Sequence, residues 1–438
     1  MAAVPLLGDT FSIGGPRSTD NDDSCDVTAL PAATLLLPYF EVDLDDFNGE
    51  TTLFTVTNVA DRAQVVRVTL WTDYGYPVVS FNIYLTGYDV QSINLRDVIY
   101  TGRIGGEEGT GTSVSPVGEL SRSAGSGRDV TNCTDIPHLD PAIVTLMQHA
   151  FTLGAYPLPN DAACVVGNTH TNAIGYATMD VVARCSDALP TDEAYFTQDI
   201  RYDNVLMGEY QQLNPANAYA QGGTLVHIRA IPEGGTQQSR NGAMSAVNFP
   251  HTFYGRFVSG DTPSDARQPL PSRYLARWIN GGAGGFQTAF KIWRELTGRN
   301  AGACGIDNDY TTVAEFVLFD EAENAFGQAV PPGGDPPRPP EAQDLPAAAL
   351  INIADGDYFP VVPNAARAGW AYMNLDSRST TATRAEQAWV ISSMRAEGRY
   401  SGDFDATAFG NGCSPRVNES EISEGGAGPI GPSPNTTP

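Results

Sequence analysis

Val66-Arg67-Val68-Thr69-Leu70-Trp71 and Phe81-Asn82-Ile83-Tyr84-Leu85-Thr86 decide how this chain folds. In the first stretch Val66, Val68 and Leu70 point one way, and Arg67, Thr69 and Trp71 the other. In the second, Phe81, Ile83 and Leu85 alternate with Asn82, Tyr84 and Thr86. Successive side chains of a strand leave on opposite faces, so this period of two predicts strands with one apolar face. Tyr74-Gly75-Tyr76-Pro77 makes a turn between them, and Thr86-Gly87 turns again before Ile93 and Leu95 continue the pattern. Thr51 to Thr57 alternates as well. Strands of this length between Gly, Pro and Asp turns predict an antiparallel β-sandwich.

Working outward, residues 1–28 are polar and rich in Gly, Ser and Asp, and are expected to be a flexible arm. Thr101 to Arg128 is a Gly/Ser-rich loop. One helix stands out: Asp140 caps it, Pro141 suits its first turn, Ile143, Val144, Leu146 and Met147 form an apolar face, and Gly154 stops it. The strand Ile174 to Arg184 is expected to close a first domain near Cys185. Beyond it, Leu225 to Ala230 reads as a strand, and Tyr274–Ile279 with Thr288–Arg294 as a hairpin around Asn280-Gly281-Gly282. Ala314, Phe316 and Leu318 alternate with Glu315, Val317 and Phe319, and Trp370–Leu375 and Ala388–Met394 complete the pattern. Pro331 to Pro340 cannot be a central strand. The expected fold is therefore all-β: two tandem immunoglobulin-like sandwiches over 29–190 and 191–413, with long loops, one or two short helices and a disordered tail over 414–438.

A chain of 438 residues exceeds one ordinary core, and 41% hydrophobic residues suffice to build two. Its 51 acidic and 25 basic residues leave a net charge of -26, which argues against nucleic acid and anionic lipid as partners. Nearly every basic residue is Arg, with Lys291 the only lysine, a composition typical of GC-rich bacterial genomes. No stretch reads as a membrane-spanning helix. Met1 to Gly8 lacks the basic and apolar regions of a secretion signal. Six cysteines without a Cys-x-x-Cys pair read as disulfides, hence an oxidising space at the cell surface or outside the cell. The expected pairing, one of fifteen, keeps Cys133–Cys164 and Cys304–Cys413 each within a domain and ties the arm to the end of the first domain by Cys25–Cys185.

Catalytic patterns are missing. Gly125-Ser126-Gly127 has no strand-to-helix setting, Lys291 follows no Gly-rich loop, and His138, His149, His170, His227 and His251 lack ligand spacing. No catalytic residue and no obligatory cofactor is expected. Calcium is the one candidate ion, at Asp43, Asp45 and Asp46, at Asp307 and Asp309, at Asp355 and Asp357, and at Asp403 and Asp405. The first cluster is not an EF-hand loop, because aligning Gly49 with the loop's fixed glycine puts Leu44 and Thr55 at ligand positions. Turn geometry accounts for such acidic residues and is the favoured reading of each. Trp71, Tyr74, Tyr76, Tyr84 and Tyr88 could line a sugar-binding face or pack across strands.

Leu37-Pro38-Tyr39-Phe40-Glu41-Val42-Asp43, Thr52-Leu53-Phe54-Thr55-Val56-Thr57-Asn58, Val68-Thr69-Leu70-Trp71-Thr72-Asp73 and Tyr84-Leu85-Thr86-Gly87-Tyr88-Asp89 together resemble uncharacterised secreted proteins of GC-rich bacteria with an immunoglobulin-like N-terminal sandwich. Gly175-Tyr176-Ala177-Thr178-Met179-Asp180-Val181-Val182, Trp293-Arg294-Glu295 and Asn411-Gly412-Cys413 extend the likeness over most of residues 30–413. The resemblance implies fold and location, and no activity. Two functions are then expected to compete. One is a non-enzymatic secreted or surface component acting by adhesion or by self-assembly through edge strands. The other is a carbohydrate-binding or carbohydrate-active protein. Exposed sheet edges on a cleft-free surface favour the first; aromatics and carboxylates gathered in one cleft favour the second.

Overall fold

The computed structural model describes residues 29–104, 139–157, 163–185, 188–190, 194–230, 267, 270–282, 285–295, 313–326, 345–353, 367–377, 387–396 and 400–408. The expected arm, the Pro-rich stretch and the tail lie outside these residues. The fold is all-β, built from four antiparallel sheets that pair into two sandwiches. The first five-stranded sheet runs β11 (Val226–Ile228), β1 (Thr34–Val42), β8 (Ala173–Val182), β3 (Gln64–Thr72) and β4 (Pro77–Leu85). Facing it is a four-stranded sheet of β10 (Tyr219–Thr224), β9 (Leu206–Asn214), β2 (Thr51–Asn58) and β5 (Val90–Asn94). The second sandwich pairs β15 (Ala325–Phe326), β14 (Val313–Asp320), β17 (Ala368–Ser377), β12 (Arg273–Ile279) and β20 (Thr407–Ala408) with β16 (Ala348–Asn352), β13 (Phe286–Arg294), β18 (Ala388–Ala396) and β19 (Tyr400–Asp405). A small ribbon, β6 (Ala155–Pro157) with β7 (Ala163–Val165), follows the longer helix.

Local chemistry places the turns and caps. Strands β3 and β4 form the hairpin that their alternation implies, with Val66 opposite Ile83 and Val68 opposite Phe81. Helix α1 (Leu95–Thr101) starts where the Asn94 side chain accepts from Arg96 N, and it ends at Gly102 with φ 73°. Helix α2 (Pro141–Thr152) has the expected Asp140 cap, accepting from Ala142 N at 2.8 Å. Its buried face is Val144, Met147, Ala150 and Phe151, so the apolar stripe is rotated from the expected one and Ile143 is exposed. Strand β1 carries a bulge between Leu37 and Phe40. Pro38 has no N–H to give to the ladder, so the extra residue falls there. Gly175 is dictated by close approach: a Cβ there would lie 2.1 Å from the Trp71 carbonyl oxygen and 2.9 Å from the Phe40 ring.

Three expectations need correcting. The chain does not leave the first sandwich near residue 190, because β9, β10 and β11 hydrogen-bond to β2 and β1. The first sandwich therefore extends to about Ala230, which the isolated bridge Ala230–Arg267 ties to the start of the second. The Asn280–Gly282 turn does not close a hairpin, since β12 pairs with β17 and β20 while β13 pairs with β16 and β18. Gly281 and Gly282, with φ 69° and 79°, instead hand the chain from one sheet to the other. Leu95 belongs to α1 and not to a strand, because the Asn94 cap ends β5 there.

One apolar core runs through both sandwiches, with β13 and β16 packed against β1 and β8. Trp71 stacks on Tyr176 at 5.6 Å, and Tyr176 meets Trp293 of β13 edge to face at 5.9 Å. Each such fully buried ring contributes on the order of 2–3 kcal/mol through area alone. Among the described residues no helix is long and apolar enough to cross a membrane.

Candidate functional site

Where the two four-stranded sheets meet, β10 runs beside β19. Ser401 Oγ donates to the Ala220 carbonyl, and Gln221 Nε2 donates to Ser393 Oγ at 2.8 Å. The meeting leaves a cleft of about 220 Å³. Glu50, Asn214, Asn217 and Tyr219 line it from the first sandwich; Gln287, Arg395, Tyr400 and Ser401 line it from the second. Register explains the second set. Arg395 lies opposite Gln287 of β13 and opposite Ser401 of β19, and directly opposed residues in antiparallel strands share a face. Three adjacent strands thus present an amide, a guanidinium and a hydroxyl in one row.

Glu50 sits just before β2, where its carbonyl oxygen accepts from Asp43 N and from Arg96. Its carboxylate accepts from Asn214 Nδ2 at 3.1 Å. Burial, and then the neighbouring Glu41, push the Glu50 carboxyl up to about 7, against the pull of Asn214, Lys291 and Arg395. Arg395 rests over the Tyr219 ring at 6.0 Å and forms no ion pair among the described residues. Tyr400 is exposed on the rim and stacks on Phe286 at 6.2 Å.

Beside the cleft, the chain's only lysine forms an ion pair within the second sandwich, packed against Tyr210 of the first. Lys291 Nζ lies 2.7 Å from Asp403 Oδ2, which also accepts from Tyr210 OH at 2.7 Å. Both partners of the ion pair have side chains only 2% exposed. Burial pulls the Lys291 amine below its ordinary value although Asp403 opposes it. The Tyr210 hydroxyl is pushed well up, first by burial and then by the Asp403 charge.

Of the calcium candidates, Asp43 and Asp46 accept backbone N–H groups of their own turn, and Asp403 is ion-paired. Asp43 Oδ1 accepts the backbone N–H of Asp45 and of Asp46, each at 2.9 Å, and Asp46 Oδ1 accepts from Asn48 N. The loop's carbonyls at Phe47, Gly49 and Glu50 accept from the Arg96 guanidinium, which stands where a cation would. Asp403 is held by Lys291, and Asp405 is an exposed residue of β19. Asp307, Asp309, Asp355 and Asp357 lie outside the described residues. Among the described residues no group of three or more His, Cys, Asp or Glu side chains is arranged to hold a metal ion.

Cys25, Cys133, Cys304 and Cys413 are outside the described residues, so each expected disulfide has at least one half there. Cys185 is buried and is not a free thiol, and Cys164 pairs in register with Tyr156 in the ribbon. His227 is buried with Nε2 accepting from Gly208 N, and His170 pairs with Asp73 at 2.9 Å. Trp71, Tyr74, Tyr76 and Tyr84 pack within the first sandwich, and none of these or Tyr88 lines the cleft. Sequence reasoning missed Glu50, Tyr219, Arg395 and Tyr400. The lone Lys291, set between Phe290 and Ile292, was the nearest signal. No family model matches the chain, and neither curated proteins nor solved structures give a match.

Proposed function

We propose that this is a non-enzymatic extracellular protein that holds a sugar in the cleft between its sandwiches and acts in adhesion. The lining of that cleft carries the reading. Sugars need many paired donors and acceptors together with a flat apolar surface, and Asn214, Asn217 and Gln287 stand there beside Tyr219 and Tyr400. Hydrolysis of a glycosidic bond takes two carboxylates flanking it, whereas Glu50 is the one carboxylate among the lining residues. Assembly through sheet edges has less support. Strands β15 and β20 are two residues long, β11 is three, and β10 and β19 shield one another, which leaves β4, β5 and β16 as the edges that could add a strand. The flexible arm expected over residues 1–28 lies outside the described residues. Secretion, an immunoglobulin-like ancestry and the three disulfides belong to the same proposal. A glycan array probed with tagged full-length protein tests it. Selective binding that weakens in Asn214→Ala and Tyr400→Ala is expected, and an array without selective binding overturns the reading.

A further inference from the structure

We infer that the cleft selects an acidic sugar, a uronate unit of a polysaccharide, with Arg395 receiving the carboxylate and Glu50 setting the charge beside it. The inference rests on the glycan-binding reading and adds the charge of the ligand. Arg395 carries it. In a chain of net charge -26, a guanidinium facing a cleft without an ion pair among the described residues is an unsatisfied receptor. Its N–H fork matches a carboxylate with two parallel hydrogen bonds. The Tyr219 ring beneath it fixes its orientation. Gln287 and Ser401, its register partners on either side, offer neutral groups to the hydroxyls next to that carboxylate. At about 220 Å³ the cleft is smaller than those that enclose drug-sized ligands, which begin near 300 Å³, so it suits one ring of a chain.

Glu50 decides how tightly the anion is accepted. Glu50 and Arg395 are the two charged residues in the lining, so protonating Glu50 turns a neutral cleft into a cationic one. The groups facing Glu50 keep this step in the neutral range. Glu41 of β1 opposes its ionisation, while Lys291 of β13 and Arg395 of β18 favour it. Asp403 of β19 neutralises Lys291, and Arg96 spends its guanidinium on loop carbonyls. Tyr39 donates to Glu41 and Tyr219 lines the same side of the cleft as Glu50, both as neutral phenols whose ionisation burial opposes. A uronate keeps its own charge across this range, because ordinary carboxylates titrate near pH 4.

Calorimetry with the full-length protein tests the assignment, using an oligogalacturonate and a neutral galacto-oligosaccharide of equal length at pH 5.5 and 8.5. The acidic chain should bind more tightly than the neutral one, and roughly tenfold more tightly at the lower pH. Glu50→Gln should abolish that pH dependence, and Arg395→Gln should erase the preference for the acidic chain. Melting curves identify any variant that fails to fold, in which case Arg395→Lys should retain the preference in part. Equal or tighter binding of the neutral chain, or acidic binding indifferent to pH in the unaltered protein, overturns the inference while leaving the glycan reading standing. Binding of neither chain overturns the inference, and the array then decides the broader reading separately.

Discussion

Each sandwich holds an arginine–carboxylate pair, and the two pairs live in opposite surroundings. Arg267 and Asp180 are 0% exposed on the five-stranded sheet of the first sandwich. Asp180 Oδ1 accepts from Arg267 and from Thr34 Oγ1, both at 2.6 Å, and Oδ2 accepts from Tyr195 OH at 2.7 Å. Arg277 and Glu321 of the second sandwich pair in the open, 60% and 58% exposed. The difference follows from coverage. Strands β1, β3 and β8 are buried along almost their whole length, because the facing sheet covers one side and Tyr195, Arg267 and the second sandwich cover parts of the other. Strands β12 and β17 keep the alternation of a sheet wetted on one side. A polar position in an alternating strand can thus face water or a hydrogen-bonded interior.

Five substitutions probe this contrast. Asp180→Ala takes the carboxylate from a buried arginine that cannot shed its proton, and should cost about 3–5 kcal/mol in chemical denaturation. A loss below about 1 kcal/mol would mean the pair is solvated after all. Asp403→Ala also leaves a buried cation, but Lys291 can deprotonate, so the loss should be smaller, about 2–3 kcal/mol. Combining it with Lys291→Met should recover part of that loss, because an apolar pair replaces the ionic one.

Glu50 tests the junction through pH. Its folded-state carboxyl lies at about 7 against an ordinary 4.5, so the native state binds the proton more tightly than the unfolded chain. Its stabilising contribution is therefore complete below about pH 4.5 and is lost as pH rises through about 7. Glu50→Gln should match the unaltered protein near pH 4.5 and exceed it by roughly 2 kcal/mol at pH 8.5, after discounting for partial exposure. Denaturant midpoints that differ equally at both values would remove the pH argument. Smallest of all, Glu321→Ala should shift stability by no more than about 0.5 kcal/mol, with less effect still in high salt. A larger shift would erase the contrast between the two pairs.

Local signals were legible because local chemistry fixes them. The alternation of Val66, Val68 and Leu70 against Phe81 and Ile83 gave a true hairpin, and Asp140 with Pro141 marked a true helix start. What lay further away was not legible. Arg67 and Thr69 read as a polar outer face, yet both are buried, with Arg67 directly opposite Asp180. Periodicity reports how a residue points relative to its neighbours, not what lies beyond it. The turn at Gly281–Gly282 suits a hairpin locally, and only the pairing of β12 with β17 shows that the chain changes sheets. The cleft was hidden for the same reason, because Glu50 and Arg395 come together only through the packing of two complete sandwiches.

The solitary lysine has a practical consequence. With Lys291 sealed at the junction, the folded surface offers no side-chain amine to glycation, to isopeptide linkage or to amine-directed crosslinking reagents. Acylation of that one nitrogen requires the sandwiches to part or the fold to open. The rate at which a small amine reagent marks Lys291 therefore serves as a clock for separation at this seam, with one side-chain product to count apart from the α-amino group.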